Sequence, residues 1–283
     1  MENAILLISC PDKKGIVAKL TNFIFQHNGN IEHADQHIDS ESNTFFMRIE
    51  WALRDFKIAQ EKIPEALSPL AREFAMDWTL YFTEHTPRVA IFVSNHLHCL
   101  YDLLLRYRGG QFRGVIPLIV SNYPEAGEVA RNFGIDFFEF PMTKENKTEQ
   151  EKKQLTLLKE HNIESIILAR YMQLLTKQFI DSFPLKIVNI HHSFLPAFIG
   201  KNPYRQAYQR GVKIIGATSH YVTEDLDAGP IIAQDTVRVS HRDSLDDLVR
   251  KGQDLEKVVL SRAVRWHLER KTLVYNNKTV IFD

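Results

Sequence analysis

The chain has 283 residues, of which 44% are hydrophobic, and its 35 basic residues balance 35 acidic ones. This length allows two domains with substantial hydrophobic cores, and the zero formal net charge argues against a general attraction to nucleic acid or to an anionic membrane. Only two cysteines occur, Cys10 and Cys99, so neither a disulfide framework nor a structural zinc site is predicted.

The amino-terminal segment does not have the pattern of a secretory signal. Glu2 stands where a basic start would be expected, and the short apolar stretch runs directly into Pro11 and Asp12. No apolar run approaches the roughly 20 residues that a membrane-spanning helix needs. We therefore expect a soluble, cytoplasmic protein with no membrane partner.

The first 84 residues predict a small β-α-β-β-α-β domain. A buried strand at 4–9 precedes an amphipathic helix that begins near Ile16 and stops at Asn28 to Asn30. The remaining predicted elements are two paired strands, a helix and a last strand, at about Ile31–Asp39, Thr44–Leu53, Asp55–Phe74 and Trp78–Thr83. This order is that of the split ferredoxin-like fold. The polar segment Glu84–Pro87 marks the predicted boundary, so the expected domains are 1–84 and 85–283.

Residues 85–283 alternate short apolar strands with amphipathic helices. The predicted strands are Val89–Val93, Val115–Val120, Phe137–Phe140, Ser165–Leu168 and Ile187–Ile190, and the predicted helices between them are Leu97–Arg108, Glu125–Phe133 and Glu149–His161. An antiparallel pair at Ile214–Val222 and Ile231–Val239 and a helix at Ser244–Glu269 follow. This alternation predicts an α/β domain with a doubly wound, mostly parallel sheet.

Three polar residues of this domain have the chemistry to act on an acyl group. Asn189 and His191 lie two residues apart at the end of a predicted strand, so their side chains leave the same face. Asp227 lies in a constrained loop before Gly229. An amide, an imidazole and a carboxylate can polarise a carbonyl and hold a nucleophile. The alternatives are a strand end that only satisfies its own backbone, and a metal site, which the pointing of His191 and His192 to opposite faces disfavours.

The residues around these three resemble a known family. Asn189-Ile190-His191 with Ser193 and Leu195-Pro196, together with His220-Tyr221-Val222 and the Asp227 to Ile232 segment, are similar to the active-site signature of the 10-formyltetrahydrofolate-dependent formyltransferase fold. The resemblance implies that Asn189, His191 and Asp227 are catalytic. It also implies two folate-binding segments, which consist of Met172, Gln173, Leu174 and Leu175 and of Thr223, Glu224, Asp225 and Leu226.

A second resemblance covers the first domain. Cys10 to Val17, Gly29 to Ile31 and Asp35 to His37 are similar to an ACT domain, a β-α-β-β-α-β module that commonly senses amino acids. We therefore expect an amino-acid effector, glycine or methionine, near Gly15 and Asn30, where the start of a helix offers free N–H groups. We also expect a homo-oligomer.

An ACT domain ahead of this fold resembles the branch of the family that hydrolyses 10-formyltetrahydrofolate to tetrahydrofolate and formate, a reaction linked to purine biosynthesis. The loop Ser94–Leu100 supports hydrolysis, because it lacks the glycines with which a backbone cradles the phosphate of a ribonucleotide acceptor. The alternatives are formyl transfer to an amine and a non-catalytic regulator that binds folate. Folate is the substrate in this interpretation, so we expect no separate cofactor, no metal and no nucleic acid.

Overall fold

The computed structural model describes residues 2–197 and 202–283. Contacts divide the chain into two compact units. The first unit consists of Met1–Thr86, Arg270–Tyr275 and Val280–Asp283, and the second consists of Pro87–Glu269 and Asn276–Thr279. None of the helices in the described ranges has both the length and the hydropathy of a membrane span.

A four-stranded antiparallel sheet forms the centre of the first unit. Its strands, in the order β2-β3-β1-β4, are β1 (Asn3–Pro11), β2 (Asn30–Asp39), β3 (Thr44–Ala52) and β4 (Asp77–Phe82). Helices α1 (Ile16–Gln26) and α2 (Ile63–Phe74) pack on one face, where Leu20 and Leu67 join a core with Ile8 and Met47. The β-α-β-β-α-β order predicted from the sequence is confirmed.

The second helix is shorter than the sequence predicts. Helix α2 begins at Ile63 after a single 3-10 turn at Gln60–Lys62, whereas the predicted helix began at Asp55. Asp55 has a φ of 63°, which interrupts a right-handed helix. Pro64 lies in the first turn, where its missing N–H leaves no helical hydrogen bond broken. The prediction of an α-helix over residues 55–62 is therefore wrong.

A seven-stranded sheet forms the centre of the second unit, in the order β11-β10-β9-β8-β5-β6-β7. Its strands are β5 (Arg88–Val93), β6 (Val115–Ser121), β7 (Asp136–Glu139), β8 (Ser165–Leu168), β9 (Ile187–His191), β10 (Ile214–Tyr221) and β11 (Ile231–Arg238). Strands β5 to β9 are parallel, and β10 is antiparallel to both β9 and β11. The predicted doubly wound, mostly parallel sheet is confirmed.

Six helices accompany this sheet among the described residues. They are α3 (His98–Arg108), α4 (Ala126–Phe133), α5 (Lys147–Glu160), α6 (Lys177–Asp181), α7 (Pro203–Arg210) and α8 (Leu245–Leu268). The two short helices α6 and α7 were not predicted from the sequence. Helix α8 begins at a capping box in which Ser244 and Asp247 bond each other's backbone N–H groups, and it packs against β9, β10 and β11.

A two-stranded hairpin, also absent from the sequence predictions, lies mostly in the first unit. Strands β12 (Thr272–Tyr275) and β13 (Lys278–Ile281) are joined by Asn276 and Asn277, whose φ values are 42° and 59°. Two successive positive φ angles are typical of a type I′ turn. A second core cluster contains Leu273, Tyr275, Val280 and Phe282 together with Leu7, Phe46 and Tyr81. Because Leu7 and Phe46 alternate with the residues that face α1 and α2, these residues cover the opposite face of the sheet.

Candidate active site

Strand β9 carries the predicted amide and imidazole at its carboxyl end. Asn189 lies opposite His220 in the antiparallel pairing of β9 with β10. The side-chain nitrogen Nδ2 of Asn189 is 3.1 Å from Nε2 of His220. Two residues further along β9, the His191 side chain reaches the same group of polar residues. The spacing of two residues thus places the side chains of Asn189 and His191 in one polar cluster.

Asp227 closes this group from the loop between β10 and β11. Its Oδ2 lies 3.1 Å from Nδ1 of His191, and its Oδ1 lies 3.7 Å from Nε2 of His220. The backbone of Asp227 has a φ of 54°, in the left-handed region that a non-glycine residue rarely adopts. The fold therefore brings the three residues singled out in the sequence into one cluster.

Close backbone packing holds the Asp227 loop against β10. The N–H of Tyr221 donates to the carbonyl of Pro230 at 2.9 Å. A Cβ atom at Gly229 would lie only 1.8 Å from the carbonyl oxygen of Tyr221. Only glycine fits at this position, and the position of Asp227 depends on it.

The cluster is enclosed, and this determines its electrostatics. The side chains of His191 and Asp227 are 6% and 9% exposed. Burial alone would raise the pKa of Asp227, but hydrogen bonds and charge from His191 and His220 together outweigh burial and hold that pKa well below its usual range. Asp227 is therefore a carboxylate at neutral pH and a weak base.

His220 is a member of the site to which the sequence analysis assigned no role. Its Nδ1 lies 2.9 Å from the carbonyl oxygen of Tyr221, to which it donates. Its Nε2 lies 3.1 Å from Nδ2 of Asn189 and 3.7 Å from Oδ1 of Asp227. The signal that could have identified His220 is its register, because it is the residue opposite Asn189 in the predicted neighbouring strand.

The second ring nitrogen of His191, Nε2, makes no hydrogen bond to the other described residues of the cluster. Because Nδ1 faces Asp227, Nε2 points away from the carboxylate. This nitrogen is buried and has no hydrogen-bond partner within residues 2–197 and 202–283. A buried polar atom without a partner indicates a position that a substrate atom can occupy.

The two predicted folate-binding segments lie in neighbouring loops. Residues 172–175 follow β8, and residues 223–226 follow β10. An ion pair of 2.8 Å between Lys177 and Glu224 connects the start of α6 with the second loop. Met172, Leu174 and Leu226 are exposed apolar side chains in these loops. The backbone N–H of Met172 donates to Ser94 Oγ at 3.0 Å.

A second buried polar cluster surrounds Glu256 of α8. Nε2 of His98 lies 2.8 Å from Oε2 of Glu256, and the hydroxyl of Tyr204 donates to Oε1. Potential ligand atoms of His98, Cys99 and Glu256 lie within 4.8 Å of one another. Burial raises the pKa of the Cys99 thiol, and the guanidinium of Arg170 is 3.6 Å from Glu256. A neutral thiol and a neighbouring cation do not suit a metal ion.

Comparison with known proteins identifies both parts of the chain. The family profile of formyl transferases matches residues 87–264, and the profile of ACT domains matches residues 4–58. The first match covers the second structural unit, including β9 and the Asp227 loop. The second covers the first three strands and the first helix of the amino-terminal unit.

Several relatives match over nearly the full chain. Proteins named formyltetrahydrofolate deformylase from Synechocystis sp. and Bacillus subtilis are 55% and 47% identical, covering 99% and 98% of this chain and 98% and 93% of their own lengths. The crystal structure of a formyltetrahydrofolate deformylase from Pseudomonas syringae pv. tomato superimposes with a TM-score of 0.97 at 44% identity, covering all of this chain and 95% of the other. The chain therefore belongs to the formyltetrahydrofolate deformylase family and combines an ACT domain with a formyl transferase domain.

Proposed function

We propose that the protein hydrolyses 10-formyltetrahydrofolate to tetrahydrofolate and formate. The observation that carries this proposal is the enclosed cluster of Asn189, His191 and Asp227 in a chain 55% identical to a protein named for this reaction. Water attacks the formyl carbon, the bond from that carbon to N10 breaks, and N10 gains a proton. Formate and a proton are released into the solvent.

Asn189 and His191 stabilise the negative charge that develops on the formyl oxygen. The Nδ2 group of Asn189 has two hydrogens, of which one is directed at His220. Nε2 of His191 is the unpartnered nitrogen of the cluster and donates when the imidazole is protonated on both nitrogens. Each donor of this kind typically contributes about a hundredfold to a thousandfold in rate.

Asp227 holds His191 in position and stabilises its positive charge. A carboxylate whose pKa lies below the usual range is a poor acceptor for a proton of water. Both of its oxygens face imidazole nitrogens, at 3.1 Å and 3.7 Å. We therefore assign Asp227 to orientation and charge stabilisation and not to general-base catalysis.

The substrate ring binds between the two loops that follow β8 and β10. Exposed Leu174 and Leu226 offer apolar contacts to a pteridine, and the backbone after Met172 offers polar ones. The Lys177–Glu224 ion pair keeps the loops together. Because folate itself carries the formyl group, the proposed reaction involves no separate cofactor and no metal ion.

Assays with and without an amine acceptor test this function. The purified protein should release formate and tetrahydrofolate from 10-formyltetrahydrofolate in buffer alone. Formylation of an added amine with little free formate would instead indicate a transferase. Folate binding without either product would indicate a regulator.

An amino-acid effector is the second part of the proposal. The ACT match supports such a ligand, and we place glycine or methionine at the start of α1 near Gly15 and Asn30. Gly15 has a φ of 95° and no side chain caps the helix, so its first N–H groups can receive a carboxylate. Asn30 is exposed at the start of β2.

Titration of the full-length protein with glycine and with methionine tests this effector site. A change in hydrolysis rate or in thermal stability that is lost in Asn30→Ala would support it. The catalytic cluster is untouched in that variant, so its basal rate should be unchanged. No response to either amino acid would refute the choice of ligand.

We also propose a homo-oligomer that acts in the cytoplasm. Strand β2 is an edge of the first sheet, is exposed along most of its length, and includes the exposed apolar residue Ile38. Exposed sheet edges are sites of strand pairing between subunits. Light scattering after gel filtration tests the assembly, and a mass of 32.9 kDa would refute it.

A further inference from the structure

A cavity of about 410 Å³ lies beside the catalytic strand. Arg170, His192, Tyr204 and Glu256 are among its lining residues, whereas Asn189, His191 and Asp227 are not. Ring contacts connect the catalytic imidazole with this cavity. The centroids of His191 and His192 are 5.2 Å apart, and those of His192 and Tyr204 are 5.8 Å apart.

Arg170 is the unusual residue of this cavity. It is only 8% exposed, and its φ of 64° lies in the left-handed region, which residues other than glycine, asparagine and aspartate rarely adopt. Its Nε and Nη1 atoms are buried and have no hydrogen-bond partner in the described part of the chain. A buried guanidinium with unmade hydrogen bonds is strongly unfavourable, and strained backbone of this kind clusters at functional sites.

The nearest carboxylate balances the charge of Arg170 but does not complete its hydrogen bonds. Oε2 of Glu256 lies 3.6 Å from Nε of Arg170 and 2.8 Å from Nε2 of His98. Oε1 of Glu256 accepts from the hydroxyl of Tyr204. That hydroxyl approaches α8 closely, since a Cβ atom at Gly252 would lie 2.1 Å from it. Each carboxylate oxygen of Glu256 therefore already accepts a hydrogen bond from a group other than Arg170.

Two neutral imidazoles also face Arg170. Burial, with a further contribution from the charge of Arg170, lowers the pKa of His192 to about 3. The same two causes lower the pKa of His96, which also lines the cavity. At the outer end of the cavity the exposed side chains of Arg205 and Asp246 carry opposite charges. Arg170 is thus the cation of the inner wall.

We propose that Arg170 binds formate in this cavity as the product leaves the catalytic cluster. The inference rests on the proposed function, because hydrolysis is the source of the formate. A guanidinium donates strong, charge-assisted N–H···O bonds to a carboxylate, and Arg170 lines the cavity with two donor nitrogens left without a partner in the described part of the chain. The exposed residues of the outer wall provide the route to solvent.

Formate binding is measured without folate, by ¹³C NMR titration of the full-length protein. A ligand of three non-hydrogen atoms can bind no more tightly than about 1 mM, so millimolar saturation is expected. In Arg170→Gln the dissociation constant should rise at least about tenfold, which corresponds to about 1.4 kcal/mol. Arg131→Gln is the matched control, because Arg131 is exposed on α4 and does not line the cavity.

A second variant and a second ligand keep the test decisive. If Arg170→Gln fails to fold, Arg170→Lys retains the charge without the planar fork, and it should also weaken formate binding. Unchanged binding in either folded variant, or no saturation by wild-type protein, would overturn the proposal. Acetate binding as tightly as formate would overturn the assignment to formate. Formate binding by a protein without hydrolase activity would contradict the proposed function alone.

Discussion

Replacement of Asp227 by asparagine removes a charge from the site with little change in shape. Oδ2 of Asp227 lies 3.1 Å from Nδ1 of His191. At this distance, and with an effective dielectric constant of about 20, the attraction between the carboxylate and an imidazolium is about 5 kcal/mol. The amide of asparagine can still form a neutral hydrogen bond with His191, which is worth about 1 kcal/mol. A loss of about 4 kcal/mol in the transition state corresponds to about a thousandfold lower kcat.

The assay separates catalysis from binding and folding. Formate release gives kcat, equilibrium titration with a non-hydrolysed folate gives the dissociation constant, and circular dichroism reports folding. We expect Asp227→Asn to lower kcat while folate binding stays within about twofold, because the folate segments lie in the loops around it and not on its carboxylate. Asp254→Asn is the control, since Asp254 forms only an exposed ion pair with Lys257 on α8. A folded Asp227→Asn protein with near-normal kcat would refute the assigned role.

Close packing and shared charge in the site lead to three further expectations. Gly229→Ala should lower stability by about 2 kcal/mol or more and reduce activity, because its Cβ would lie 1.8 Å from the Tyr221 carbonyl oxygen; thermal unfolding and formate release measure both. Asn189→Ala and His191→Ala should be non-additive in kcat if both donate to one oxygen, which a double-mutant cycle measures. Folding lowers the pKa of the Asp227 carboxyl. The stability that Asp227 contributes is therefore complete when the pH is above the pKa of the unfolded state, about 3.9, and is lost as the pH falls through the pKa of the folded state. Acid unfolding of Asp227→Asn should lack that part of the pH dependence.

Controls and contrary outcomes differ among these three. Gly109→Ala is the matched glycine control, since its Cβ would have ordinary contacts, the nearest at 3.4 Å, and its φ is −78°. A Gly229→Ala protein as stable as Gly109→Ala would contradict the packing argument. If the rate losses of Asn189→Ala and His191→Ala multiply in the double variant, the two residues do not donate to the same oxygen. Parallel acid-unfolding curves of wild type and Asp227→Asn would show that the ion pair adds no stability.

Most of the fold could be predicted because local patterns and tertiary structure agree. The buried strands β5 and β8 are short, continuous apolar runs, and continuous burial is what a parallel sheet produces. The helix predicted from Asp55 failed because an apolar periodicity extended past a left-handed residue that no periodicity reveals. The hairpin at Asn276 and Asn277 was predictable in principle, since two asparagines between alternating strands favour a type I′ turn.

The candidate site could be predicted in part. The two-residue spacing of Asn189 and His191 brings both side chains to one cluster, which is a local property of a strand. The distance from Asp227 to His191 depends on a loop from another strand, and only the family resemblance indicated that they meet. His220 and Arg170 could not be assigned roles, because their importance comes from cross-strand register and from burial without partners. Neither property is present in the sequence of a single segment.

The hairpin of β12 and β13 has a consequence for biosynthesis. It covers a face of the first sheet, yet the ribosome makes it roughly 190 residues after β4, which takes about 10 to 40 seconds at about 5 to 20 residues per second. During that interval Leu7 and Phe46 lack their native cover. The amino-terminal unit therefore cannot mature on its own as it emerges, and a nascent chain interrupted in this window offers an apolar surface to chaperones. Grafting residues 1–86 onto another protein would leave the same surface uncovered.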